Sequence, residues 1–233
     1  MPHGSGPLGW LMKRLHAPVY ASRLRELVRR ITPHLRPGDR VLDVGCGFGA
    51  LGEALLKDQR APAGLSVEGL ERVRRGGERI AVTEYDGVTA PFPDRSFDVV
   101  ILADVLHHEE DPHRLLAECA RISKRLVIVK DHRLAGPLAR ARVSLIDWAA
   151  NAPFGVVCLY RYNTLAQWRD WFGRHRLSIV DELPSMHLYP PPYNLLFGRR
   201  LQYMAVLAVD AAGNPPDRAA DRTARPDPAT SPR

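Results

Sequence analysis

The stretch Arg40-Val41-Leu42-Asp43-Val44-Gly45-Cys46-Gly47-Phe48-Gly49-Ala50-Leu51 constrains the fold of this chain more than any other. A short apolar run interrupted by a single acid reads as a buried strand. Glycines at 45, 47 and 49 then alternate with other residues, which gives a tight turn and lets another group approach the backbone closely. The helix expected from Ala50 to Gln59 points its first N–H groups at whatever rests on that turn. Strand, glycine loop and helix in this order make a nucleotide-type cofactor site.

Two readings of the loop compete. Gly47, Gly49 and Gly52 satisfy the G-x-G-x-x-G dinucleotide pattern, which is weak evidence by itself. Asp43 speaks against it, because a carboxylate at the strand end would repel a pyrophosphate, whereas it suits a ligand bearing an ammonium and a sulfonium. The spacing of Asp43, Gly45, Gly47 and Gly49 resembles the first motif of class I S-adenosylmethionine-dependent methyltransferases. A glycine turn with a merely structural role is the third possibility.

At 233 residues, one globular domain with short extras is expected. A composition 45% hydrophobic and 25% charged is ordinary for a soluble protein. No apolar run approaches the roughly 20 residues that span a membrane. The N-terminus lacks the charged, apolar, small-residue order of a signal peptide, so cytoplasm is the expected location. Cys46, Cys119 and Cys158 have no metal-ligand spacing, and no metal site is expected. The net charge of +7 comes mainly from dispersed arginines rather than from a basic block interleaved with aromatics, which argues against nucleic acid.

In chain order, residues 1–36 read as a helical segment, with Leu24, Leu27, Val28 and Ile31 on one face and arginines on the other. A second strand is expected over Pro62 to Val67, a loop over Gly69 to Gly77, and a third strand over Glu78 to Tyr85. Phe97 to Ala103 reads as a central strand, apolar on both faces. Asp111-Pro112 opens a helix whose buried stripe holds Leu115, Leu116, Cys119 and Ile122. Leu126 to Val129 is the fifth strand, and Lys130-Asp131-His132 is expected to leave it toward the cleft. Pro137 to Ala150 looks helical and Asn151 to Tyr162 looks like a loop. Thr164 and Gln167 form a capping box for a helix carrying Trp168, Trp171 and Phe172 toward the core. Strands over Leu177 to Leu183 and Leu201 to Val209 follow without a long helix between them and are expected to be antiparallel. From Asp210 on, Pro, Ala, Asp and Arg dominate without periodicity, as in a disordered tail, 210–233.

The methyltransferase resemblance covers roughly Leu35 to Val209. It includes Pro91-Phe92-Pro93-Asp94 before the fourth strand, and Asp104-Val105-Leu106-His107-His108, which is similar to the methionine-end stretch of type 11 methyltransferase domains. It implies a seven-stranded doubly wound α/β sheet of order 3-2-1-4-5-7-6 with strand 7 antiparallel. The sheet domain would span 37–209, with 1–36 capping the cleft. The resemblance implies S-adenosylmethionine held by Asp43, Gly45, Cys46, Gly47, Gly49, Asp86, Gly87, Ala103 and Asp104. The position where the family usually has a ribose-binding acid falls on Ser66, with Glu68 nearby as a substitute. His108, then His132, are the candidate bases, and His107, Tyr160 and Tyr162 the candidate substrate contacts. The expected activity is methyl transfer to a small-molecule acceptor. An RNA-modifying enzyme and a non-catalytic cofactor-binding regulator remain alternatives, and a dinucleotide oxidoreductase a weaker one.

Overall fold

The computed structural model describes residues 7–151 and 157–210, with side chains of the first helix from Pro18 onward. Seven strands form one sheet in the order β3-β2-β1-β4-β5-β7-β6. Strands β1 (Arg40–Val44), β2 (Ser66–Glu71), β3 (Val82–Glu84), β4 (Phe97–Ala103) and β5 (Ser123–His132) run parallel. Strand β7 (Gln202–Val209) lies antiparallel between β5 and β6 (Leu177–Leu183). Fold class and strand order are those expected from the sequence.

The parallel strands are covered on both faces, as their continuous apolar runs require. Alternation along each strand sends Leu42, Val44, Val100 and Leu102 to one face, where they meet Leu116 of α3 (Pro112–Ile122) and Trp168 and Phe172 of α5 (Leu165–Arg174). Val41, Val99, Ile101 and Ile128 go to the other face. There they pack on Leu27 and Ile31 of α1 (Pro7–Ile31) and on Leu55 of α2 (Ala50–Lys57). The Trp168 indole also donates to the His132 carbonyl at 3.0 Å, so the aromatic stripe belongs to the core as expected. The capping box of α5 is formed: the Thr164 hydroxyl accepts from the Gln167 N–H, and the Gln167 side chain accepts from the Thr164 N–H. A further small cluster unites Ala139 and Val143 of α4 (Ala139–Asn151) with Tyr162 and Leu201. A short helix, α6 (Tyr193–Phe197), sits in the connection from β6 to β7.

Among the element boundaries that differ from expectation, two move candidate site residues. Strand β2 begins at Ser66 rather than ending near it, because Arg40 pairs with Ser66 and Val44 with Leu70. Strand β5 continues through Lys130, Asp131 and His132, which pair with Met204, Tyr203 and Gln202. These three polar residues are buried in the sheet rather than leaving it. Phe154 and residues 211–233 of the expected tail lie outside the described residues.

Truncating Phe172 to Ala is expected to cost about 3–5 kcal/mol, since the ring is fully buried against Trp168 and Tyr203. Thr164→Ala should cost only ~1 kcal/mol through the lost cap. Urea unfolding of the two variants measures both, and comparable losses would contradict the packing described.

Candidate active site

The glycine loop leaves the carboxyl end of β1. Gly45, Gly47 and Gly49 have φ of +66°, +57° and +73°, a region that side chains other than glycine rarely adopt. A Cβ on Gly45 would also strike Val105 at 2.7 Å, whereas one on Gly47 would meet nothing within 4 Å. Gly47 is therefore required for its backbone angle and leaves open space in front of the loop. Cys46 packs its sulfur against Gly69, and burial pushes its thiol up to about 12, so it is a packing residue and not a nucleophile.

Two carboxylates flank the loop. Asp43 is buried, and its Oδ2 has no hydrogen-bond partner within the protein. Burial raises its pKa to about 7, against the pull of Arg23. At the end of β2, Glu71 Oε2 accepts from the Gly47 N–H at 2.7 Å. Ser66 is at the opposite end of that strand, five residues back, beside Arg40. Ser66 therefore lies at the far end of β2 from the glycine loop, and the acid beside the loop is Glu71. Glu68 does not substitute, since its carboxylate pairs with the Arg40 guanidinium at 3.0 Å.

Beyond β3, Asp86 is exposed and its Oδ1 accepts from the N–H groups of Val88 and Thr89 at 2.8 and 2.9 Å, which is the geometry of a turn. Gly87 has φ +79°, and a Cβ there would collide with the Arg72 guanidinium, which is ion-paired with Glu109. Ala103 ends β4, and Asp104 follows with φ +63°. The Asp104 carboxylate pairs with Lys130 of β5 and, at 2.7 Å, with Arg23 of α1. Burial works to raise its pKa, but the two cations hold it well below the ordinary carboxylate range.

Beside Asp104 the chain brings three histidines together. The His107 ring lies 4.0 Å from that of His108 and 4.9 Å from that of His132, measured between centroids. His107 Nδ1 is 2.6 Å from Asp131 Oδ1, and its Nε2 faces Asp147 Oδ1 of α4 at 3.6 Å. Burial alone would lower the His107 pKa, but the two carboxylates outweigh it and raise it to about 10. His108 is half-buried, with Nδ1 at 3.2 Å from the Val157 carbonyl and Nε2 at 3.7 Å from Asp147 Oδ1. Burial and the neighbouring His107 charge lower its pKa. His132 is buried, next to Gln202, and burial lowers it to about 4. That placement sets His132 inside the sheet rather than on an open surface.

The two tyrosines part company. Tyr160 is exposed, with φ +54°. Tyr162, the other expected substrate contact, is buried, and its hydroxyl donates to Asp147 Oδ2 at 2.6 Å.

Nitrogen and oxygen atoms of His107, His108 and Asp147 lie within 4.8 Å of one another, as do those of Asp104, His107 and His132. Either spacing admits a cation, but Asp104 already faces Lys130 and Arg23, which disfavours a dication there. Sequence reasoning missed Glu71, Arg23 and Asp147. Glu71 gave little signal, following Val67-Glu68-Gly69-Leu70; the other two are brought in by distant helices.

A family model described as a methyltransferase domain matches residues 16–174, and the chain belongs to that family, with the sheet of its class I, S-adenosylmethionine-dependent members. The 2-phytyl-1,4-naphtoquinone methyltransferase of Synechococcus elongatus is 29% identical over 193 residues, covering 76% of this chain and 81% of that protein. The 27-O-demethylrifamycin SV methyltransferase of Amycolatopsis mediterranei is 34% identical over 119 residues, 44% of this chain. That match spans 43% of the Amycolatopsis protein, so less than half of its length. A solved S-adenosylmethionine-dependent methyltransferase from Mesorhizobium loti shares the fold with a TM-score of 0.61 at 19% identity, over 82% of this chain and 99% of that one.

Glu71→Ala is expected to weaken S-adenosylmethionine binding ~10-fold or more, the scale of a lost hydrogen bond to a charged group. Ser66→Ala should leave it unchanged. Calorimetric titration of both variants distinguishes the two positions, and a loss with Ser66→Ala would restore Ser66 to the site. His107 supplies a second expectation. Its folded pKa lies above its unfolded value of 6.5, so its stabilisation is full below that value and is lost as pH rises through about 10. The melting temperature should therefore fall between pH 8 and pH 10.5, by less in His107→Gln.

Proposed function

We propose that this chain methylates a small hydroxylated molecule of the quinol or phenol kind, using S-adenosylmethionine. One adjacency carries the reading: the acid-flanked glycine cradle of β1 and β2 stands beside the histidine–carboxylate cluster of β4, β5 and α4 on the same sheet edge. The carboxyl edge of an open α/β sheet is where ligands bind. The names of the relatives, one acting on a naphthoquinone and one on a rifamycin, support the acceptor class. Neither name favours RNA as substrate or a purely regulatory role.

The residues present fit the cofactor. The unpartnered Asp43 oxygen suits a cationic group, Glu71 suits ribose hydroxyls, and Gly47 leaves room for close approach. When bound, S-adenosylmethionine supplies an electrophilic methyl on a sulfonium. The protein's part is alignment, exclusion of water and management of one proton. Segment 1–36 serves as a cap over residues 37–209, supported by the Arg23 pair with Asp104. His108 takes the acceptor's proton at Nε2. Its lowered pKa keeps it neutral at pH 7, and Asp147 stabilises the imidazolium that forms. Exposed Tyr160 borders the acceptor side. The scattered cysteines support a cytoplasmic setting, and no helix among the described residues is long and apolar enough to cross a membrane.

His108→Ala should lower kcat ~100-fold or more while leaving S-adenosylmethionine affinity intact. The wild-type rate should fall on the acid side as His108 protonates, and this limb should vanish in the variant. Methyl uptake by a panel of hydroquinones and phenols, followed by mass spectrometry, is the assay. Binding of NAD in place of S-adenosylmethionine would sink the whole reading.

A further inference from the structure

Helix α4 faces two ways. Ala139, Val143 and Asp147, four residues apart, form its buried stripe and carry the contact to His107 and His108. The opposite stripe is apolar as well: Leu145 and Trp148 are 54% and 55% exposed, and Leu138, which directly precedes the helix, is 77% exposed. An ordinary surface helix would put polar residues there. The apolar area continues onto α6, where Leu195 and Leu196 are 66% and 52% exposed. The Arg142 guanidinium joins the two helices through the Leu195 and Leu196 carbonyls, and Arg140 reaches the Tyr160 carbonyl beside exposed Val157. More than half of the large apolar side chains exposed among the described residues fall within 138–160 and 193–196.

The two segments that build this face are poor in acid. From Leu134 to Trp168 the chain carries Arg140, Arg142 and Arg161 against a single acid, Asp147, which is buried. From Ser185 to Val209 it carries exposed Arg199 and Arg200 and no acid. An open groove of about 690 Å³ at the start of α4 is lined by Leu134, Leu138 and Ala139, with Arg140 as its charged member. Apolar side chains with an aromatic among them, bordered by Arg140 and Arg142, match a helix lying in a lipid interface. A nucleic acid would offer the arginines a partner but would leave the leucines in water.

We propose that the α4–α6 face docks on an anionic lipid bilayer, and that the groove receives the hydrocarbon tail of a lipid-borne acceptor. The second half of this statement rests on the proposed methyl transfer; the docking does not. The inner stripe of α4 then holds the histidines on the acceptor's side through Asp147, while its outer stripe lies in the interface.

The test is co-sedimentation of the full chain with vesicles of phosphatidylcholine containing phosphatidylglycerol, and with phosphatidylcholine alone, in the absence of cofactor and acceptor. The wild type should pellet with the anionic vesicles, and less well as salt is raised. The doubly substituted Leu145→Asp, Trp148→Asp protein should lose ~10-fold or more of that partition. Its S-adenosylmethionine affinity should be retained, which shows that it is folded. Pelleting of this variant at the wild-type level would assign binding to other basic segments and overturn the proposal, as would absence of wild-type binding. If the wild type is self-associated and the variant monomeric by sedimentation velocity, the face is a contact between copies and the lipid assignment falls. None of these readouts depends on methyl transfer, so a failed activity assay and a failed docking assay remain distinguishable.

Discussion

The Asp104 carboxylate is held by Lys130 from the neighbouring strand and by Arg23 from the N-terminal helix. Desolvating three charges costs several kcal/mol per ion unless each finds its counterpart, and losing one partner leaves an uncompensated charge. The left-handed backbone at Asp104 is tolerated because the surroundings fix it from both sides. This one cluster ties α1, β4 and β5 together at the edge where the ligand binds. Arg23 also acts on Asp43, so the N-terminal helix and the glycine loop share an electrostatic connection.

What could be read in the sequence was what is local. The glycine loop, the helix caps and the central strands announce themselves through backbone needs and apolar runs that no distant residue has to supply. The strand order was also readable, through the resemblance of the loop and of the Asp104–His108 stretch and through the helix-free ending at β6 and β7. Strand register was not. Whether β2 ends near Ser66 or at Glu71 is decided by its pairing with Arg40–Val44, and the glycine-rich segment after Gly69 masked the continuation. The same limit hid the length of β5: Lys130, Asp131 and His132 look like loop residues until Asp104, His107 and Gln202 are placed around them.

Tyr162 and Asp147 illustrate a related point about polar residues. Neither occurs in a pattern that marks function, and each has its role only because the other is near. The Tyr162 hydroxyl and the Asn151 amide fix the Asp147 carboxylate, which is thereby aimed at His107 and His108. Polar positioning of this sort is built from tertiary contacts, and its energetic worth lies in the high cost of leaving any member unpaired.

Three histidines within one cluster are held in three different conditions by their acids. His107 lies between Asp131 and Asp147 and keeps its proton; His132 is buried without a comparable carboxylate contact and stays neutral. His108 depends on both of its neighbours: the charge on His107 lowers its pKa, and Asp147 partly restores it. A proton fixed on one imidazole therefore keeps the next one able to accept. Asp131 acts on His108 at one remove by holding the charge on His107. The protonation of His108 is thus set in part from β5, two side chains away.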